Sequence, residues 1–208
     1  MKKCLLILCV CVAPCVFAQK SFFGVDAGVN VANQREHVES FLSSGPNASA
    51  ATTVTNTLFF QNSIKPTFGV FYHIGLSEKI GLRPAATYMG LGYKFKNAPI
   101  DVVDINYLTF PLTVHYSIQK HFSFNAGPYL SFTLGGTKIN NQPITSFYHK
   151  NDFGFSFGGE HDLYRNLSLG VNYFVGTKNI WLNDLNGTIK YTNRALQFTL
   201  IYKFKKTI

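Results

Sequence analysis

The sequence of 208 residues has no cysteine beyond its first fifteen positions. The four cysteines lie close together near the N-terminus: Cys4, Cys9, Cys11 and Cys15. Residues 1–3 give a basic start, residues 4–17 are apolar, and the Val-Phe-Ala at 16–18 fits a cleavage site, so we predict a secretory signal peptide over 1–18. The mature chain, 19–208, would then lack thiols, which excludes a disulfide framework and a cysteine metal site.

Long apolar runs and nucleotide-binding motifs are also missing. After the predicted signal peptide, no stretch of eighteen apolar residues occurs, so the sequence offers no transmembrane helix. There is no P-loop, and the six histidines show no paired spacing such as H-x-x-x-H. We therefore predict no cofactor and no metal site, and we expect the histidines to be structural or solvated.

Charged residues are sparse and scattered. They make up 14% of the chain, and the formal net charge of +9 becomes +7 without Lys2 and Lys3. No block of five or more like charges occurs, which argues against a nucleic-acid partner. The basic residues near predicted strand ends are instead expected to meet lipid phosphates, so outer-membrane lipid and lipopolysaccharide are the predicted partners.

Aromatic residues and strict alternation are what the chain does have. There are 20 Phe and 11 Tyr. In 106–118 every second residue from Leu108 to Ile118 is large and apolar, while the residues between are mostly small or polar. Successive side chains of a strand point to opposite faces, so this pattern predicts a strand with one apolar face. Eight such segments occur between Phe22 and Phe204.

The links between these segments alternate between long and short. Long links are predicted at 32–64, 94–104, 135–150 and 177–191, and short links near 75–79, 119–120 and 161–166. Segregated loops are typical of a membrane barrel, whose short turns face the periplasm. We predict an all-β fold, an eight-stranded antiparallel up-and-down transmembrane β-barrel that forms one domain over 19–208. A soluble lipocalin-like barrel is the alternative, and it would carry more charge on its outer face.

The polar faces of the predicted strands are mostly Gly, Ser, Thr and Asn, which suit a narrow lumen better than a water-exposed surface. Four charged residues share these faces: Asp26, Arg83, Glu160 and Lys203. They are read either as a selectivity ring or gated plug, or as a salt-bridge network that fills the lumen. We predict the filled lumen, because small eight-stranded barrels are filled by side chains.

Two further groups of residues have competing interpretations. His121 and Ser123 resemble the His-x-Ser pair of outer-membrane lipid A deacylases, but they fall beside a periplasmic turn and no acid follows until Asp152. We therefore predict no catalytic residue. Aromatics near the strand ends are predicted to form an interfacial girdle, with a ligand-binding rim as the alternative. They are Phe59, Phe60, Tyr93, Phe95, Tyr107, Phe147, Tyr148, Trp181 and Tyr191.

The segments 107–112 (YLTFPL), 115–116 (HY) and 125–130 (NAGPYL) resemble the central hairpin of the PorT-type, porin-like outer-membrane β-barrel family of Bacteroidota. Segments 152–154 (DFG) with 158–159 (GG), and 173–180 (YFVGTKNI), are similar to the sixth and seventh strands of that family. The chain departs from the family at Thr109, where an acid is common, and at His115, where a lysine is common. One branch of the family is linked to a secretion system.

The last strand, 197–204, also resembles that of the family. The resemblance implies an outer-membrane location in a Gram-negative bacterium. It also implies that the barrel assembly machinery recognises the terminal strand through Tyr202 and Phe204.

The sequence supports several functions. The favoured hypothesis is a non-enzymatic outer-membrane protein with a structural role, or one that binds an extracellular or envelope protein through 32–64. A narrow porin-like solute channel is the main alternative. A secretion-system accessory barrel and a lipid-modifying barrel enzyme are less favoured.

Overall fold

A computed structural model of the chain describes residues 21–38, 60–95, 102–140, 142–143, 149–180 and 189–204. The predicted signal peptide, 1–18, lies outside the described residues, as does 39–59 within the first predicted loop. The described residues contain no helix, and therefore none long and apolar enough to cross a membrane, a finding that has no bearing on strands.

Eight long strands and one strand of two residues form the described fold. Their bounds are β1 Phe22–Val38, β2 Phe60–Gly75, β3 Ile80–Phe95, β4 Val102–Gln119, β5 Phe122–Ile139, β6 Gln142–Pro143, β7 Asn151–Tyr164, β8 Leu167–Gly176 and β9 Ile189–Phe204. The long strands pair in the order β4-β3-β2-β1-β9-β8-β7-β5, and a β4–β5 pairing closes the ring. All pairings are antiparallel. The predicted eight-stranded antiparallel up-and-down barrel is confirmed.

The strands are longer at one end than the sequence pattern predicted. β1 continues to Val38 and β2 begins at Phe60, so strand occupies both ends of the predicted loop 32–64. β1 and β9 stay paired up to Val38 and Ile189. Backbone pairing continues there through polar residues, which give no apolar alternation to read. The turns at 76–79, 120–121 and 165–166 lie at the opposite end and confirm the predicted short links.

Along most of the wall the apolar side chains face outward. On β4, Phe110, Leu112 and Val114 are each more than 40% exposed, whereas the adjacent Thr109 and Thr113 are buried. The same alternation holds on β5, β7 and β9. The barrel is therefore inside-out relative to a soluble one, as the alternation predicted.

Towards the long-loop end this polarity inverts. On β3 the inward residues Met89 and Leu91 are buried, while Gly90 takes the outward position between them. On β4 Val103 and Ile105 are fully buried in the same apolar cluster. The prediction of a small and polar lumen is thus wrong for this part of β3 and β4, where the large residues occupy the inner positions.

Two aromatics of the predicted girdle belong to this inner cluster. Tyr93 is 3% exposed and Tyr107 is 1% exposed, and both pack inside the bore rather than on lipid. Their strand position, not their residue type, decides the side on which they lie. Trp181, Phe59, Phe147 and Tyr148 of the same prediction lie outside the described residues.

Candidate functional site

The bore on the short-turn side holds a buried cluster of charges. Arg83 on β3 donates a hydrogen bond of 2.7 Å from Nη1 to Oε2 of Glu160 on β7. Lys203 Nζ on β9 lies 2.5 Å from Glu160 Oε1, a charge contact in which Oε1 has no aligned hydrogen-bond donor. Lys203 also pairs with Asp162. Exposure is 9% for Arg83, 3% for Glu160 and 6% for Lys203.

The Arg83–Glu160 link runs across the bore rather than along the wall. β4 and β5 stand between β3 and β7 on the shorter way round the ring. Arg83 also stacks its guanidinium over the Phe71 ring, 4.3 Å from the centroid. An ion pair this deeply buried is held only when other groups satisfy each partner, and Lys203 supplies that second contact for Glu160.

Asp26 lies in the same part of the lumen without joining the ion pairs. It is half-buried and lines a cavity with Arg83 and Glu160. Among the described residues, the ion pairs of the cluster connect Arg83, Glu160, Lys203 and Asp162. The structure therefore brings three of the four predicted residues into contact and places Asp26 beside them. Asp162 is the partner that the sequence reading missed.

The cavity beside this cluster is small, and most of the residues that line it are polar. About 60 Å³ is open to the centres of water molecules, which is enough for a few waters that bridge polar groups. His115, buried in the same wall, lies with Nε2 3.1 Å from the hydroxyl of Thr113. The cavity lies among the side chains that occupy the bore and offers little room for a solute larger than water.

A second polar layer crosses the bore nearer the long-loop end. Asn193 on β9 donates from Nδ2 to Asp152 Oδ2 at 2.9 Å and to the Tyr107 hydroxyl at 3.2 Å. β4, which carries Tyr107, stands diametrically opposite β9 in the ring. Tyr129 donates to Asp152 at 3.3 Å, and Gln34 donates to Asn193 Oδ1 at 3.2 Å. This layer connects opposite walls through five buried side chains.

Sequence reasoning missed this second layer because only Asp152 among its members is charged. A usable signal did exist: Asp152 and Tyr129 both fall on the polar face of a strand with unambiguous alternation. A buried carboxylate needs donors, and an inward tyrosine hydroxyl is one of the few available in such a bore.

The deacylase-like pair is not assembled. His121 is exposed in the turn at 120–121, while Ser123 is cross-strand to Glu160. No hydrogen bond joins His121 to Ser123 in the described part of the chain, and the nearby Glu160 is engaged by Arg83 and Lys203. A nucleophile, base and orienting acid are therefore not aligned. Within the described ranges, no group of three His, Cys, Asp or Glu side chains is placed to hold a metal ion.

Tyr202 and Phe204, the predicted assembly signal, lie on the outer face of β9 at the short-turn end. They are 44% and 54% exposed, and their rings meet edge to face at 5.0 Å. β9 and β1 are the last and first strands of the described barrel and pair with each other, so these rings stand beside the junction of the two chain ends of the barrel.

An all-antiparallel closed barrel with an apolar exterior and a polar, ion-paired bore defines an outer-membrane β-barrel. The family model described as outer membrane protein beta-barrel domain matches residues 4–204. Because the match covers nearly the whole sequence, the chain belongs to this family. It is an outer-membrane protein of a Gram-negative bacterium. In barrels of this class the short turns face the periplasm.

Solved structures share this architecture at low sequence identity. Neisserial surface protein A, from Neisseria, is 14% identical with a TM-score of 0.53, over 89% of this chain and 100% of that chain. The outer membrane protein AlkL is 17% identical with a TM-score of 0.53, over 92% and 94%. OprG from Pseudomonas aeruginosa is 12% identical with a TM-score of 0.47, over 90% and 97%. The two likenesses with a TM-score above 0.5 concern the fold alone. Among curated proteins no sequence matches.

Proposed function

We propose that this chain is a non-enzymatic outer-membrane barrel with a closed, side-chain-filled lumen and a structural or loop-mediated interaction role. The observation that carries the proposal is the pair of polar layers across the bore. Arg83–Glu160 joins β3 to β7, and Tyr107–Asn193 joins β4 to β9. Together with the apolar cluster beside the second layer, these contacts support a lumen without a continuous aqueous path.

Single-channel recording in planar bilayers tests this proposal. The purified wild-type barrel is expected to give no steady unitary current. Shortening both cross-bore links in Arg83→Ala/Tyr107→Ala removes the side chains that block the bore and should produce brief or small openings. Steady currents from the wild type would refute the closed lumen.

A narrow porin-like solute channel is the second candidate, and the polar cavity of about 60 Å³ supports it. Water in that cavity beside Asp26 and His115 would form the start of a path if the charged cluster rearranged. Such a channel predicts cation or anion selectivity that changes sign or size in Asp26→Asn. A closed barrel would give no current, so no ion selectivity could be measured.

The proposed interaction partner is an extracellular or envelope protein bound through 32–64. The described ends of this segment, in β1 up to Val38 and in β2 from Phe60, lie at the long-loop end of the barrel. This position supports a partner outside the membrane. Cross-linking in intact outer membranes, with wild type and a variant lacking 41–57, tests the idea. A partner that is captured equally by both does not use this segment.

A lipid-modifying enzyme is disfavoured because His121 is exposed in a turn and no hydrogen bond joins it to Ser123 in the described residues. The mass of lipid A from expressing cells is expected to equal that from non-expressing cells. Ser123→Ala should leave that mass unchanged, whereas a mass difference that depends on Ser123 would establish enzymatic activity.

Three finer assignments complete the proposal. Membership in the PorT-type family of Bacteroidota is supported by the motif segments 107–112 and 173–180. A secretion-accessory role would follow if the chain belongs to the branch of that family linked to a secretion system. Cleavage after Ala18 predicts a mature N-terminus at Gln19, which Edman degradation of the membrane-inserted protein tests. Recognition of Tyr202 and Phe204 by the assembly machinery predicts slower insertion of Tyr202→Ser/Phe204→Ser in reconstituted assembly reactions.

A further inference from the structure

The polarity inversion locates the outer boundary of the membrane on β4. Outward apolar side chains run from Ile118 to Leu108 and then stop. Ten residue steps of about 3.3 Å, tilted by about 40°, rise roughly 25 Å, which is the height of the lipid-facing band in such barrels. The next outward positions, Asn106 and Asp104, therefore lie at the headgroup level of the outer leaflet.

A cluster of two cations and one anion lies at this level. Lys65 on β2 forms an ion pair with Asp104 on β4, and the two side chains are 24% and 37% exposed. Asp104 is cross-strand to Lys138 on β5, and the Lys138 side chain is exposed. The cluster has a net charge of +1 and spans four neighbouring strands.

Glycines create the space for this cluster. β3 runs between Lys65 and Asp104 and presents Gly90 and Gly92 there. A Cβ on Gly90 would lie 2.8 Å from the Lys65 Cβ. The missing side chain at Gly90 leaves room for Lys65 to reach across β3 to Asp104.

An apolar groove of about 550 Å³ lies directly below, on the lipid-facing wall. Phe68, Tyr88 and Leu108 line its upper end, and the small residues Ala27 and Ala86 line its middle. The Phe68 and Tyr88 rings stack at 4.7 Å with an interplanar angle of 16°. Tyr88 lies two residues from Gly90 on β3, so the groove leads into the charged cluster.

We propose that the cluster and groove bind one molecule of lipid A, the phosphorylated glycolipid of the outer leaflet. Lys65 and Lys138 would donate charge-assisted hydrogen bonds to a lipid A phosphate, and the groove would take one acyl chain. Asp104 holds the ammonium group of Lys65 in place and competes with the phosphate for it. The occupant follows from the height of the cluster, its net positive charge and the apolar groove below it.

Native mass spectrometry of the detergent-purified barrel tests this site with four probes: bisphosphorylated lipid A, the same lipid A without phosphates, phosphatidylglycerol and inorganic phosphate. Lys65→Gln/Lys138→Gln should weaken binding of the bisphosphorylated form about tenfold, which corresponds to about 1.4 kcal/mol. Binding of the dephosphorylated form should not change. The control Lys79→Gln/Lys120→Gln removes the same charge at the periplasmic turns and should change neither.

Asp104→Asn is expected to change the affinity for bisphosphorylated lipid A in the opposite direction. It tests the proposal even if the lysine variant does not fold. Removing the competing carboxylate should raise affinity for bisphosphorylated lipid A several-fold, a gain that a purely structural ion pair would not produce. Equal losses in the control, equal binding of the dephosphorylated lipid, or unchanged affinity in Asp104→Asn would overturn the proposal. Phosphatidylglycerol bound as tightly would show a general anionic contact and overturn it too.

Discussion

Replacing Glu160 by glutamine isolates the energetic role of the charged layer. The substitution keeps the shape of the side chain and removes the one carboxylate that, among the described residues, contacts both Arg83 and Lys203. Lys203 keeps Asp162, but Arg83, 9% exposed, has no other ion-pair partner in the described part of the barrel. Leaving one buried charge uncompensated typically costs about 3–5 kcal/mol, and we expect a loss near the lower figure.

Equilibrium unfolding in urea, with the barrel folded in detergent micelles or liposomes, measures this loss. Glu78→Gln is the matched control, because Glu78 is exposed in the turn at 76–79 and should change stability by less than about 0.5 kcal/mol. Arg83→Met/Glu160→Gln removes both partners of the cross-bore pair and should recover part of the loss, giving a coupling energy of about 1–3 kcal/mol. A loss below about 1 kcal/mol in Glu160→Gln, or no recovery in the double variant, would refute the reasoning.

Three more predictions follow from the wall and the second layer. A Cβ on Gly92, whose φ is +151°, would lie 2.1 Å from a backbone carbonyl of β4; Gly92→Ala should destabilise the barrel by about 1–3 kcal/mol in the same urea assay. Tyr107→Phe removes the hydroxyl that accepts from Asn193 and should cost about 1 kcal/mol, and an unchanged midpoint would contradict that. Spin labels at Phe124 should contact acyl chains while labels at Asn125 are shielded, and the reverse pattern in relaxation by lipid-soluble oxygen would contradict the inside-out wall.

The sequence was sufficient for the architecture because alternation and turn spacing are local signals. The run from Leu108 to Ile118 has one apolar residue at every second position, and its paired strand repeats the pattern. The same parity correctly placed Arg83, Glu160 and Lys203 on the inner face. It could not say which of them meet, since this depends on strand tilt and stagger around the ring, which no single strand encodes.

Asp26 and Asp162 illustrate that limit. Both are acids on inner faces near the short-turn end, yet Lys203 pairs with Asp162 and not with Asp26. Asp162 fell within a predicted link, 161–166, because strand β7 continues to Tyr164 beyond its apolar alternation. The second layer escaped prediction for a related reason: its neutral tyrosine and amide groups form a network only once opposite walls face each other.

The inversion of polarity along β3 and β4 means that one continuous sheet is built for two surroundings. On the short-turn side of Tyr88 the apolar side chains of the wall face lipid. On its long-loop side Met89, Leu91 and Ile105 pack together inside, as the core residues of a small soluble barrel do. These side chains are buried against one another and not against lipid. The long loops therefore start from strand ends that are held by contacts within the protein. We expect their sequences to change with little effect on the strand segments that cross the membrane.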